Sequence, residues 1–157
     1  MKDGTSFLFD RLAAELLGDG YRVRFRPRGV SMFPTIRSGD PLTVEPVRAD
    51  EVKRGDVVLY RSDRGMIVHR VERILDRGEG DLTFLLRGDA AQALDRPVGA
   101  GRLLGRVAVR EHGGRSLDLC RGPSRLFYIA RLRAARFKRW LATRLGAGPR
   151  GRGAREA

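Results

Sequence analysis

Cysteine is nearly absent from this sequence: Cys120 stands alone among 157 residues. A single thiol forms neither an internal disulfide nor a thiolate metal cluster, so the fold is expected to rest on packing and to need no oxidising compartment. Histidine is almost as scarce. His69 and His112, with one cysteine at an unrelated position, make no metal-ligand set, and neither a metal nor another cofactor is expected. Acidic residues are few as well, 19 Asp and Glu against 32 Lys and Arg, for a net charge of +13. Long apolar runs are also missing. No window approaches the roughly 18 to 20 apolar residues of a membrane span, and Asp10, Arg11 and Glu15 interrupt the N-terminal stretch where the core of a signal peptide would lie. The expected location is therefore the cytoplasm or, peripherally, the cytoplasmic membrane, with no signal peptide and no transmembrane helix in the chain.

What is present fits one domain with one core and one main site. The positive charge is unevenly placed. From Arg121 to Ala157 there are eleven Lys and Arg and one acid, Glu156, which leaves 21 against 18 for everything before it. Residues 1–20 are expected to form an amphipathic helix. Thr5 or Ser6 can cap it, Phe9, Leu12, Ala13, Leu16 and Leu17 recur at helical spacing, and Gly18 or Gly20 can end it. Residues 121–146 are expected to form a basic amphipathic helix with Phe137 and Trp140 on its apolar side, and 147–157 a disordered tail. The composition of 124–145 suits a helix lying on an anionic membrane surface or packing on the body of the protein.

Between these segments, 21–120 reads as β structure. Tyr21, Val23 and Phe25 alternate with Arg22, Arg24 and Arg26 until Pro27 stops the run. Further strand-like runs cover Leu42 to Val47, Asp56 to Tyr60, Gly65 to Leu75, Leu82 to Leu86, Leu103 to Arg110 and Ser116 to Leu119. Short strands punctuated by Gly-Asp pairs predict a mostly antiparallel, barrel-like β fold.

The stretch "RGVSMFPTIRSGDPLTV" places Ser31 on a tight turn between Gly29 and Pro34. A turn serine ordinarily bonds its local backbone, and one that acts as a nucleophile needs a base and an orienting acid from elsewhere. Few residues can serve. His112 sits at a Gly-Gly turn where solvent is the expected neighbour, so a histidine partner for Ser31 would be His69, inside the strand-like run "GMIVHRVERI". Orienting carboxylates are offered by "LLRGDAAQALDRP", which holds both Asp89 and Asp95 beside turn residues, where capping a turn is their ordinary use.

In order, "SMFPTIRSGDPLTV", "VKRGDVVLY", "MIVHRVERI", "FLLRGDAAQALD" and "LLGRVAV" resemble type I signal peptidases, most closely the archaeal and endoplasmic-reticulum branch that uses histidine as base. The resemblance runs from about Val23 to Val109. It implies a coiled antiparallel β peptidase fold of the signal peptidase and SOS-repressor type, and a serine endopeptidase that cuts a leader or signal-type peptide after a small residue. It further implies Ser31 as nucleophile and, through its backbone N–H, as oxyanion donor, His69 as general base, and Asp95 as triad acid ahead of Asp89, which supports the site. Met32 and Pro34 are implied in substrate binding. Lys53 matches the basic residue before a Gly-Asp pair and not a lysine base. Two departures stand out. Val30, not glycine, precedes Ser31, and a charged amphipathic helix stands where signal peptidases carry a transmembrane helix.

Partners expected from this reading are a peptide or protein substrate and an anionic membrane surface reached through 124–145. One rival is a catalytically weak or inactive peptide- or membrane-binding module of the same fold. Another, prompted by +13, is a basic nucleic-acid-binding protein, but no helix-turn-helix or single-strand-binding motif accompanies the charge, so no specific nucleic acid is expected.

Overall fold

The computed structural model describes residues 4–78 and 80–120, together with Ala130 and Ala134. The helix expected over 121–146 and the tail expected over 147–157 lie outside the described residues, those two alanines excepted. One helix, α1 (Gly4–Gly18), precedes eight strands: β1 (Val23–Phe25), β2 (Leu42–Glu45), β3 (Val57–Ser62), β4 (Gly65–Asp76), β5 (Leu82–Arg87), β6 (Val98–Gly99), β7 (Leu103–His112) and β8 (Arg115–Asp118). They form one sheet in the order β1-β2-β7-β3-β4-β5-β6, with β8 also on β7 and every pairing antiparallel. The expected architecture, mainly antiparallel β with an N-terminal helix, is the one observed. The first strand is shorter than expected, because Tyr21 is exposed and only Val23 to Phe25 find a partner in β2.

The sheet is covered on both faces, and β3 shows why its sequence reads as an unbroken apolar run. Val57 and Leu59 point into one core, with Leu42, Val44, Val68 and Val107. Val58 and Tyr60 point into the other, with Val71, Phe84, Leu86 and Val98. A strand buried on both sides has no polar face to alternate with. Each fully buried aliphatic side chain contributes roughly 1.5 to 3 kcal/mol, so the two cores carry the fold without a disulfide. Helix α1 closes the first core through Ala13 and Leu17, while Leu8 and Leu12 on its outer side stay exposed.

Candidate active site

Ser31 lies in the loop between β1 and β2, which turns back on itself through local bonds. Phe33 N–H donates to the Val30 carbonyl at 3.0 Å and Ile36 N–H to the Met32 carbonyl at 2.9 Å. Gly29 takes a φ of +113°, a conformation that side chains rarely adopt, and its N–H donates to Ser38 Oγ at 3.2 Å. The loop is pinned from below by Met32 and Ile36, which are buried in the core beneath α1. Ser31 itself is exposed, and neither its hydroxyl nor its N–H finds a partner among the described residues. Its carbonyl accepts from Ala90 N–H at 2.8 Å, which ties the serine loop to the segment after β5.

That tie brings the serine to the histidine. A Cβ built on Gly88 would meet the Ser31 carbonyl oxygen at 2.6 Å, His69 Nε2 at 3.0 Å and Ser31 Cβ at 3.1 Å. Both side chains therefore border one methyl-sized space that only glycine leaves open. His69, on β4, is buried and its Nδ1 lies 2.5 Å from Asp95 Oδ2. A carboxylate accepts, so beside an ionised Asp95 a neutral His69 ring carries its proton on Nδ1 and its lone pair on Nε2, the nitrogen on the Ser31 side. Asp95 Oδ2 also accepts from the Tyr60 hydroxyl at 3.1 Å. Burial first, and then the Asp95 charge, push the Tyr60 pKa well above its ordinary value, so this hydroxyl remains a donor. The loop carrying Asp95 is fixed by its own N–H, which donates to the Leu86 carbonyl at 2.9 Å.

The other aspartate serves a different partner. Asp89 receives Arg70 Nε at 2.9 Å and the second guanidinium nitrogen at 2.8 Å, and both side chains are 3% exposed. Arg70 also donates to the Gly55 carbonyl at 2.8 Å. Asp89 thus flanks the site through Arg70, the residue after His69, and does not reach the imidazole. His112 is exposed, as expected, and its Nδ1 lies 2.7 Å from Oδ1 of buried Asp40, at the end of β7 and not beside Ser31. Lys53 lies before the Gly55 turn and does not line the cleft described below. Cys120 is set apart too. Burial, with carboxylates including Glu45 nearby, pushes its thiol up to about 11.

A cleft of about 840 Å³ opens beside Ser31 and His69. Its apolar walls include Phe9 of α1, Phe25, Leu59 and Met66, and Met32 lines it from the core side, whereas Pro34, which follows a cis peptide, does not line it. One wall is a strand edge. Residues 65–69 of β4 pair with β3, but β5 joins β4 only from Arg70 onward, so the far side of this stretch has no strand partner among the described residues. Met66 N–H faces that side and donates to Asp10 Oδ2 at 3.4 Å. By the alternation of an antiparallel strand, the N–H and carbonyl of Val68 face the same way. Among the described residues no group of His, Cys, Asp and Glu is placed to hold a metal ion.

Tyr60, Arg70 and Gly88 were not singled out from the sequence. The Gly-Asp pair at 88–89 reads only as a turn, and the constraint on Gly88 is a contact with a loop nearly 60 residues earlier, which no local pattern reveals.

Comparison with known proteins gives matches over part of the chain. Residues 12–84 match the model of the Peptidase S24-like family, a span that includes Ser31 and His69 and stops short of Asp95. The signal peptidase complex catalytic subunit SEC11C of Homo sapiens, and likewise that of Mus musculus, is 35% identical over 68 residues, covering 42% of this chain and 35% of the relative. The match thus spans about a third of the length of those relatives. Over these spans the chain is similar to Peptidase S24-like proteins and to signal peptidase catalytic subunits, and its mainly antiparallel β fold is consistent with that likeness.

Proposed function

We propose that the chain is a serine endopeptidase that cuts a leader- or signal-type peptide after a small residue, with Ser31, His69 and Asp95 as its catalytic residues. The observation that carries this reading is the space at Gly88, bordered by Ser31 on one side and His69 Nε2 on the other, with the opposite ring nitrogen held by Asp95.

The chemistry follows from that order. His69 Nε2 takes the Ser31 hydroxyl proton as the oxygen attacks the peptide carbonyl, and the unpaired Ser31 N–H is available to the developing oxyanion. Asp95 keeps the imidazole in the productive tautomer and stabilises the cation formed. The proton on Nε2 then passes to the leaving amine as the C–N bond breaks. Water, deprotonated by the same nitrogen, hydrolyses the acyl-enzyme and returns the proton to Ser31. An extended peptide would add to the open edge of β4 at Val68, with alternate side chains turned into the apolar cleft. The names of the SEC11C relatives support a signal-type substrate.

Labelling by a small serine-directed electrophile, read by intact mass, tests the reading. Wild type should form a single adduct, Ser31→Ala none, and His69→Ala should label at least about 10²-fold more slowly. Adduct formation on Ser31→Ala, or no cleavage of any small-residue leader peptide by protein that labels, would sink it.

A further inference from the structure

The cleft is lined by three arginines, Arg26, Arg28 and Arg64, and by one acid, Asp10. Among the described residues no ion pair holds them as it holds neighbouring arginines, although the Glu111 carboxylate acts on Arg26 through space. Arg22 and Arg24, earlier in the same run, pair with Glu45 at 3.2 Å and Glu111 at 2.9 Å. Arg26 donates only to the Gly39 carbonyl, at 2.9 Å, and no carboxylate among the described residues lies within ion-pair distance of Arg26, Arg28 or Arg64. All three are exposed, while Phe9, Phe25 and Met66 make the cleft walls apolar. Apolar walls weaken the screening of charges set on their rim and concentrate field into the cleft. The one acid that enters it belongs to the chain itself and already accepts a β4 backbone N–H.

Resting on the peptidase reading, we propose that this cleft selects acidic peptides: an extended segment with apolar residues at alternate positions and Asp or Glu on either side of them. The positions can be placed. Arg28 stands three residues before Ser31, so one acid falls close to the cut. Arg64 precedes the open β4 edge, five residues from His69, which at about 3.3 Å per residue puts a second acid roughly 16 Å from the catalytic pair. An extended peptide spans that length in about five residues. Guanidinium groups meet carboxylates in two-pronged pairs, so the selection should favour Asp and Glu over their amides and disfavour Lys.

The test uses fluorescent peptides with a small residue at the cut, apolar residues at alternate positions, and Asp, Asn or Lys five residues away on either side. Binding to Ser31→Ala is read by anisotropy, and cleavage by wild type as kcat/KM. At low salt the Asp peptide should bind Ser31→Ala about 5-fold more tightly than the Asn peptide, the advantage should shrink at 0.5 M salt, and the Lys peptide should bind weakest. The pair Arg28→Glu and Arg64→Glu should invert the order, and the milder Arg28→Gln and Arg64→Gln should abolish it if the reversed charges impair folding. Arg115→Glu, which makes the charge change of either single substitution on β8 outside the cleft, should leave the order intact.

Binding of Asp and Asn peptides within twofold would overturn the proposal, as would binding of none of them. So would an effect of the arginine variants on vesicles of anionic phospholipid with no effect on peptide discrimination. Cleavage by wild type without charge preference sinks this inference alone. Charge-selective binding to Ser31→Ala, with no labelling and no cleavage by wild type, upholds it and sinks the catalytic reading.

Discussion

Asp89 and Asp95 stand six residues apart in one loop, both beside turn residues, and their neighbours give them separate roles. Asp95 keeps part of its side chain in solvent and holds His69 and Tyr60. Asp89 is buried against the Arg70 guanidinium, which it meets with both oxygens. Removing charge from the first should therefore cost rate, and from the second stability. Asp95→Asn is expected to lower kcat by roughly 10² to 10⁴ with an unfolding midpoint close to wild type. Asp89→Asn leaves Arg70 buried with half its partner and should cost about 3 kcal/mol, near 10 °C in Tm for a domain of this size. Thermal melts and single-turnover cleavage on both variants check the split, and a reversed pattern would exchange the roles. The sequence carried this assignment only through resemblance. Turn chemistry alone favours neither aspartate, because the deciding partners, Tyr60 on β3 and Arg70 on β4, lie in strands whose pairing is not written in the loop.

At the scale of elements, runs of strand-forming residues bounded by turn signals placed seven of the eight strands, with clear period-two alternation at Tyr21 to Arg26 and an unbroken apolar run at β3. Boundaries moved by at most two residues, and at Tyr21 the alternation continues past the last partner. The two-residue β6 escaped because Val98 and Gly99 are too short a run to show a period. Pairing was the part least legible: β7 lies between β2 and β3, and nothing in Leu103 to His112 names those partners. Hence Gly88 gave no local sign of its constraint. Its requirement comes from the approach of the β1–β2 loop, so Gly88→Ala should wedge the Ser31 carbonyl away from Ala90 N–H and spoil the line from serine to imidazole. A displacement of the order of 1 Å can cost about 10²-fold, and labelling of Ser31 should slow by that much while far-ultraviolet circular dichroism stays that of the wild type. Labelling at the wild-type rate would show that the loop yields without consequence and that the Gly88 space is not a part of the catalytic geometry.

Across the whole molecule, the loop that carries Ser31 is secured at its far end by one buried carboxylate. Asp40 accepts Arg37 N–H at 2.8 Å, Arg110 Nε at 2.9 Å and His112 Nδ1 at 2.7 Å, and so joins the end of the serine loop to the end of β7. Burial by itself would raise its pKa, but the bonds from Arg37, His112 and Arg110 together outweigh burial and hold the carboxyl below its usual range. A carboxyl whose pKa is lower folded than unfolded binds protons more readily in the unfolded chain. Its contribution to stability is complete above the ordinary carboxylate pKa of about 3.9 and is lost as pH falls through the lower folded value. Stability of the wild type should therefore fall below about pH 4, with loosening of the serine loop as Asp40 lets go of Arg110. Asp40→Asn removes the titrating group and leaves the half-buried Arg110 guanidinium poorly paired. It should be less stable by roughly 2 to 3 kcal/mol at pH 7, yet lose less further stability between pH 5 and pH 3. Urea unfolding of both proteins across that range measures the difference directly. Parallel acid slopes would mean that other carboxylates, and not the one beneath the serine loop, govern the acid limit of the fold.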